Sequence, residues 1–326
     1  MLSFSFIATR AVHFASTVVI AGIFIFLAFV EAPVLGENRD HTWPGAAAFH
    51  SRLLGIAWLS LAVSIVSGAA WLLLVATNIT GSSLAQVISD GTAQTLLTRT
   101  QFGHTWQARV VLAVLLAAAL LRFNRKAEWR PAERFVAAAL ATGFVGSLAW
   151  SGHGGATPGL RGEAHLTADA LHLIAAGAWI GGLVPLRLLL SSVAQAAGPL
   201  GVGIARDVTL RFSTLGIAAV ATLIVSGLFN TWILVGSVSG LVEFQYGRLL
   251  LMKLALFGVL LAVAAFNRLR LTPRLVAAAA NASHASIAAV RRLKRNCLVE
   301  TALGLAILIM VGAIGTISPG MHMHGS

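Results

Sequence analysis

Long apolar runs separated by short polar connections constrain this chain more than any other feature. About eight runs have roughly the 20 residues needed to cross the hydrocarbon of a bilayer. Only 10% of the residues are charged, whereas a soluble domain is nearer to about 25%. We therefore predict an all-α fold, a polytopic integral membrane bundle of about eight transmembrane helices. The predicted spans are 10–35, 53–76, 106–123, 135–150, 166–190, 212–236, 249–267 and 297–317.

The basic residues predict how this bundle is oriented. Most of the 23 Lys and Arg residues fall in connections on one side, which are 36–52, 122–134, 187–211 and 268–295. Cytoplasmic loops of membrane proteins carry such an excess, so this side is predicted to be cytoplasmic and both termini periplasmic. The same bias accounts for the formal net charge of +12, and we predict no nucleic-acid partner. Most of the ten histidines then fall at the outer face.

The stretch from Trp150 to Trp179 concentrates polar side chains in an otherwise apolar sequence. After Gly162 it is predicted to be helical, which places His165, Asp169 and His172 on one face at i, i+4 and i+7. A carboxylate at bilayer depth costs roughly 2.5 to 3.5 kcal/mol on insertion scales. We therefore predict that these side chains face a polar cleft and bind a transition metal.

The spacing of the two helical histidines leaves the arrangement open. His165 and His172 lie about 10 Å apart along the helix axis, since each residue rises about 1.5 Å. Sharing one ion would be difficult, so the helix supplies either one pair (His165–Asp169 or Asp169–His172) or two stations along an access path. The alternative for His172 is a hydrogen bond to a neighbouring helix, with Asp169 orienting an imidazole. Ligand type alone does not select the metal, because imidazole suits copper, zinc and iron.

Further candidate ligands lie near the same predicted face. His153 sits in the Gly-rich segment SGHGGATPG, where glycine allows a tight turn over the helix mouth. The alternative is a solvated loop histidine. His13 lies about one turn inside the first span, where interfacial anchoring competes with a metal role. The tail alternates thioether and imidazole donors that suit Cu(I) or Cu(II), or it is a disordered end; its members are Met321, His322, Met323 and His324.

The remaining polar residues in the spans have structural explanations. We expect Lys253 to extend to the outer interface and Glu300 to pair with the basic run Arg291–Arg295. Asn230 is expected to hydrogen-bond across helices, and Cys297 to be a small apolar helix residue. Three glycines are expected to allow close helix packing: Gly177, Gly181 and Gly182.

Four segments carry a resemblance to a known family: SGHGGATPG, HLTADALHLIAAGAWIGGLVPL, RFSTLGIAAVATLIVSGLFNTW and YGRLLLMKLALFGVLLAVAAFNRLRLTPRL. The chain resembles the copper resistance protein D (CopD) family over nearly its whole length, most densely over 150–274. The resemblance implies a single CopD-like transmembrane domain spanning 1–326, with a short periplasmic Met/His tail at 318–326. It also implies a bacterial inner-membrane protein of copper tolerance and uptake, and a small periplasmic copper-binding partner (CopC-like) as a separate chain.

Our functional hypothesis is a copper-handling inner-membrane protein that imports copper from the periplasm. The sequence has no Walker-type loop, no DKTG-like segment and no Cys-x-x-Cys motif in a span, so we predict neither an ATP-driven pump nor an enzyme. One alternative is a b-type haem membrane cytochrome, with histidines such as His13 and His172 as axial ligands. Another is a copper-binding assembly or sensing factor without transport. The sequence leaves the oligomeric state open.

Overall fold

The computed structural model describes residues 2–35, 43, 45–125, 129–151, 159–196, 199–235, 239–280 and 284–317. Every regular element within these ranges is a helix. Eight of those helices are long and apolar enough to cross a membrane, which confirms the predicted all-α bundle. They are α1 Phe4–Leu35, α2 Ala46–Thr80, α3 Gln101–Arg125, α4 Pro131–Ser151, α5 Gly159–Ala196, α6 Pro199–Val235, α7 Gln245–Ala279 and α8 Ile287–Ile314. The predicted location of the termini stays a prediction.

The observed helices extend beyond the predicted apolar runs. Helix α6 begins at Pro199, where proline suits the first helical turn, rather than at residue 212. Helix α5 likewise begins well before residue 166. Polar side chains do not interrupt a helix that continues into the interface or into solvent. Apolar composition therefore located the spans but not their ends.

Two helices form the centre of the bundle. The apolar windows of α1 and α5 are 67% and 78% buried, and no other span exceeds 44%. Their backbones touch, because a Cβ built on Gly22 or Gly181 would collide with the facing helix. A Cβ on Gly177 would lie 3.2 Å from the Ala21 side chain, and one on Gly182 would lie 2.7 Å from Phe212. The predicted role of these glycines in close packing is confirmed.

The bundle consists of two similar groups of four helices, α1–α4 and α5–α8. In each group the first helix packs against the second and the fourth. The second helices share the sequence Ile-Val-Ser-Gly, at 65–68 and 224–227. The third helices begin with Gln-Phe-Gly and Gln-Tyr-Gly and both contain Phe-Asn-Arg near the end. Because equivalent helices are four spans apart, they run in the same direction, as in a parallel rather than an inverted repeat.

Three of the spans contain a five-residue π-helical turn. These turns are Leu27–Glu31 in α1, Gly177–Gly181 in α5 and Asn267–Leu271 in α7. A π turn widens the helix locally and often marks a functional position. Each turn here carries a side chain that takes part in a buried polar contact: Glu31, Trp179 and Asn267. In α1 and α5 the turn lies further along the helix than His13 and His172.

Candidate metal site

His172 lies in a half-buried cleft between α5 and α6. Its Nδ1 is 3.0 Å from the Ser226 hydroxyl, and that hydroxyl donates to the Thr222 carbonyl at 2.5 Å. The serine proton is therefore already used, so His172 Nδ1–H must be the donor. This fixes the tautomer and leaves a lone pair on Nε2, which has no hydrogen-bond partner in the described part of the chain. A neutral imidazole with one nitrogen held by a hydrogen bond is the usual state of a metal-binding histidine.

Asp169 lies one turn before His172 on α5 and faces the same cleft. The Asn230 amide donates to its Oδ1 at 3.3 Å, which confirms the predicted cross-helix hydrogen bond of Asn230. Lys253 and Tyr246 of α7 both interact electrostatically with Asp169, and Lys253 also with His172. The buried carbonyl oxygen of Asn230 has no partner among the described residues. The cleft therefore combines a carboxylate, a free imidazole nitrogen, an amide oxygen and an ammonium group.

His165 lies one turn further toward the start of α5 than Asp169. Its side chain is 2% exposed, and its Nδ1 is buried without a hydrogen-bond partner in the described ranges. The hydroxyl of Ser151, at the end of α4, is also buried and without such a partner. His165 therefore offers an imidazole nitrogen that is unpaired among the described residues at this end of α5.

His13 forms a second centre, in the first group of helices, and both of its nitrogens are engaged. Its Nδ1–H donates to Ser67 at 3.0 Å, because the Ser67 hydroxyl already donates to the Val63 carbonyl at 2.6 Å. Arg109 donates to Nε2 at 2.9 Å. The Trp71 and Trp106 rings pack against the imidazole, with centroids 5.6 and 5.1 Å away. A metal could bind His13 only by displacing a buried arginine.

The two histidine centres are equivalent under the internal repeat. His13 and Ser67 are separated by 54 residues, as are His172 and Ser226. Each centre also has a basic side chain from the third helix of its group, which is Arg109 in the first group and Lys253 in the second. Two positions differ in chemistry. Three residues before the histidine, the first group has Arg10 where the second has Asp169. Four residues after the serine, it has Trp71 where the second has Asn230.

Arg10 and Trp71 fill the space that corresponds to the open cleft of the second group. The Arg10 guanidinium lies over the Trp71 ring, 4.6 Å from its centroid, and the side chain is 9% exposed. Arg109 also donates to the Phe144 carbonyl and the Ser147 hydroxyl, at 2.6 and 2.7 Å. This centre is closely packed and positively charged, which disfavours a metal cation. The acidic, partly open cleft of the second group suits one better.

Not every predicted ligand can be placed. His153 and the tail residues Met321, His322, Met323 and His324 lie outside the described residues. Within the described ranges, no three His, Cys, Asp or Glu side chains come close enough to hold one ion. Asp169 and His172 share a cleft, whereas His13 and His165 lie elsewhere. The metal role of all these residues stays a prediction.

Two side chains have partners that sequence reasoning missed. Lys253 is half-buried and interacts with Asp169 rather than only extending to the interface. Glu300 does not pair with the basic run at the start of α8, because it accepts a hydrogen bond from Asn267 of α7. Tyr246 and Lys253 are seven residues apart, and Asn267 follows fourteen residues later, so all three lie on one face of α7. This pattern could have revealed both contacts.

Comparison with known proteins identifies the family. The family model described as Copper resistance protein D-like, N-terminal domain, matches residues 1–163, and the one described as Copper resistance protein D matches residues 206–314. Copper resistance protein D of Pseudomonas syringae pv. tomato is 33% identical over 231 residues, which are 71% of this chain and 73% of the relative. The chain belongs to the copper resistance protein D family. The first match covers α1–α4 and the start of α5, and the second covers most of α6 together with α7 and α8.

Two further relatives match this chain over different shares of their own length. The inner membrane protein YebZ of Escherichia coli K12 is 28% identical over 98% of this chain and 100% of its own length. The copper transport protein CutJ of Bacillus subtilis 168 is 27% identical over 70% of this chain and 39% of its own length. No solved structure matches. The chain is therefore a multi-pass membrane protein that handles copper.

Proposed function

We propose that the cleft formed by α5, α6 and α7 binds copper through Nε2 of His172 and the carboxylate of Asp169. One observation carries this proposal: the Ser226 hydrogen bond fixes the His172 tautomer and leaves Nε2 free beside a carboxylate. The unpartnered Asn230 oxygen offers a further donor at the same place. His165, one turn away, acts as the first contact on the access path.

Lys253 explains how an acidic site can exist here without metal. A buried carboxylate that lacks a counter-charge is strongly unfavourable, and the Lys253 ammonium supplies that charge to Asp169. A copper ion that binds Asp169 replaces the ammonium, which moves away or loses its proton. Copper and Lys253 therefore compete for one carboxylate. This competition weakens binding enough to allow release, as a transport site requires.

We propose that copper moves from this cleft toward the basic end of the bundle, which is import if that end is cytoplasmic. Asp169, His172 and Trp179 share one face of α5, and Lys253 and Asn267 share one face of α7. The distance along α7 from Lys253 to Asn267 is about 21 Å at about 1.5 Å per residue. These faces form a stripe with polar side chains at both ends and apolar ones between. Such a stripe suits a gated path rather than an open pore.

The setting of this activity follows the family. We propose that the chain resides in the inner membrane with the histidine end facing the periplasm, and that a small CopC-like copper-binding protein delivers copper there. The proposed steps are binding, ligand exchange and release, with no covalent reaction, so the protein acts as a carrier rather than as an enzyme. Most of the Lys and Arg residues lie in connections and near helix ends, so the +12 charge needs no nucleic-acid partner.

Copper binding by the purified full-length chain tests this function. We call the ion in the cleft of α5, α6 and α7 the outer copper ion. In a titration against a competing chelator, we expect His172→Ala and Asp169→Asn to lose it. His104→Ala is the matched control, because His104 is exposed at the same end and, among the described residues, hydrogen-bonds to the Thr98 carbonyl at 3.2 Å. Copper content equal to wild type in both cleft variants would refute the site. In proteoliposomes, the same variants should lower copper uptake.

The same preparation tests the two alternatives. A Soret band in protein purified without added haem would favour the cytochrome hypothesis. Copper binding with no uptake into proteoliposomes, under a gradient in either direction, would favour an assembly or sensing factor. Copper-dependent uptake that His172→Ala abolishes would favour a carrier. One observation counts against the cytochrome, because Arg109 donates to Nε2 of His13 and occupies the nitrogen that a haem iron would need.

A further inference from the structure

A second polar centre lies in the same group of helices, at the other end of the stripe. A cavity of about 350 Å³ opens between α6 and α7 and reaches α5 and α8. Ile217 and Ile224 line it and are partly exposed, so the cavity opens sideways toward the bilayer. Most of its wall is apolar. Its polar members are Trp179, Thr209, Asn267, Arg268, Cys297 and Glu300, together with Ser213 and Thr272.

Glu300 is a buried carboxylate held by neutral donors. It is 4% exposed and accepts hydrogen bonds from the amide of Asn267 and the indole N–H of Trp179. The Asn267 oxygen in turn accepts from Asn296 at 2.7 Å, which fixes the direction of the amide. Asn267 and Trp179 both belong to π-helical turns. No Lys or Arg in the described part of the chain forms an ion pair with this carboxylate.

Cys297 lies one turn before Glu300 on α8 and lines the same cavity. Its side chain is 1% exposed, and both Glu300 and Arg187 of α5 interact with it electrostatically. Thr209 of α6 also lines the cavity; it is 4% exposed and its hydroxyl has no partner among the described residues. A thiol, a carboxylate and an unpartnered hydroxyl therefore line one cavity. An acyl chain filling the cavity would leave the Thr209 hydroxyl without a partner.

We propose that this cavity is an inner copper station, in which Cu(I) is held between the Cys297 sulfur and the Glu300 carboxylate. Thiolate is a soft ligand that selects Cu(I) among the ions available to a copper-handling protein. The inference rests on the proposed carrier function, because the ion reaches the station from the outer cleft. It assigns a role to the single cysteine of the chain.

The charges around the cavity fit this assignment. Before binding, the Glu300 carboxylate is stabilised by hydrogen bonds from Asn267 and Trp179, and the Cys297 thiol is neutral. When Cu(I) binds, the S–H bond breaks, an S–Cu bond forms and the proton leaves to solvent. Copper stays in the +1 state and no electron is transferred. The total charge inside the membrane is therefore unchanged, which avoids the cost of adding a buried charge, and one proton is released for each ion bound.

The test is a Cu(I) titration of the purified full-length chain under reducing, anaerobic conditions. We expect Cys297→Ala and Glu300→Gln each to lose one equivalent of Cu(I) and the proton released with it. His172→Ala should instead lose the outer ion and keep this one. Because Cys297 is the only cysteine, saturating Cu(I) should also slow its alkylation by a small thiol reagent, at least about tenfold, in both wild type and His172→Ala. The alkylation assay needs no substitution at the station.

The outcomes separate this inference from the proposed function. Full Cu(I) stoichiometry in Cys297→Ala, or alkylation unaffected by Cu(I) in the folded wild type, would overturn the inner station. If His172→Ala still lost the outer ion in that experiment, the outer site would stand. Suppose that Cys297→Ala loses one equivalent of Cu(I) while His172→Ala binds as much copper as wild type. This result would support the inner station and overturn the outer site. A wild-type protein that binds no Cu(I) would overturn both.

Discussion

Replacing His13 by alanine distinguishes a structural histidine from a metal-binding one. The imidazole is fully buried between Trp71 and Trp106 and bonds to Ser67 and Arg109. The change removes one hydrogen bond to a buried charged group, worth about 1.5–3 kcal/mol. It also leaves a cavity of the kind that costs about 2–5 kcal/mol in large-to-small substitutions. Since the two effects overlap, we expect the free energy of unfolding to fall by about 3–5 kcal/mol.

The assay is unfolding of the detergent-purified protein, followed alongside its copper stoichiometry. We expect His13→Ala to unfold far more easily than wild type while the folded fraction keeps its copper. His13→Gln should recover part of the loss, because its amide oxygen can accept from Arg109. His104→Ala, an exposed control, should stay within about 0.5 kcal/mol of wild type. Wild-type stability in His13→Ala, or a copper deficit matching that of His172→Ala, would refute the reasoning.

Two further substitutions test the packing of the central helices and the role of the resident cation. Gly181→Ala should destabilise the protein by about 1–3 kcal/mol, because its Cβ would meet the Val18 carbonyl. Gly258→Ala, where the space is open, should instead raise the free energy of unfolding by up to about 1 kcal/mol. If the two variants shifted the thermal unfolding temperature equally, the packing argument would be contradicted. Lys253→Met should tighten copper binding at the outer cleft by about tenfold, or about 1.4 kcal/mol, whereas Lys253→Arg should not. Weaker binding in Lys253→Met would show that the ammonium does not compete with the metal.

The sequence predicted the eight spans because the bilayer imposes a length and a composition that can be read residue by residue. It also predicted close packing at Gly181 and the cross-helix bond of Asn230, since small and amide side chains have few other uses in a span. Partners in a different helix were harder to predict. Glu300 has several arginines nearby in sequence, yet it bonds to Asn267 because the π turn in α7 aims that amide at α8.

The distinction between the two histidines also required the structure. His13 and His172 each lie one or two turns inside a span and look alike in sequence. Their roles diverge through Arg10 and Asp169, which occupy the same position in the repeat but carry opposite charge. The matching Ile-Val-Ser-Gly segments indicate the repeat, but only the pairing of each histidine with its serine shows which positions correspond.

The repeat also indicates why the proposed copper path runs through the second group of helices alone. Both groups hold a histidine bonded to a serine, with a cation on the third helix. In the first group, Arg10 and Trp71 fill the remaining space, and the extra positive charge repels a metal ion. In the second group, Asp169 replaces the arginine, so the same framework becomes an acidic cleft with a free imidazole nitrogen. Under the proposed function, one group stabilises the bundle while the other exchanges a cation, a division that a single group of four helices could not provide.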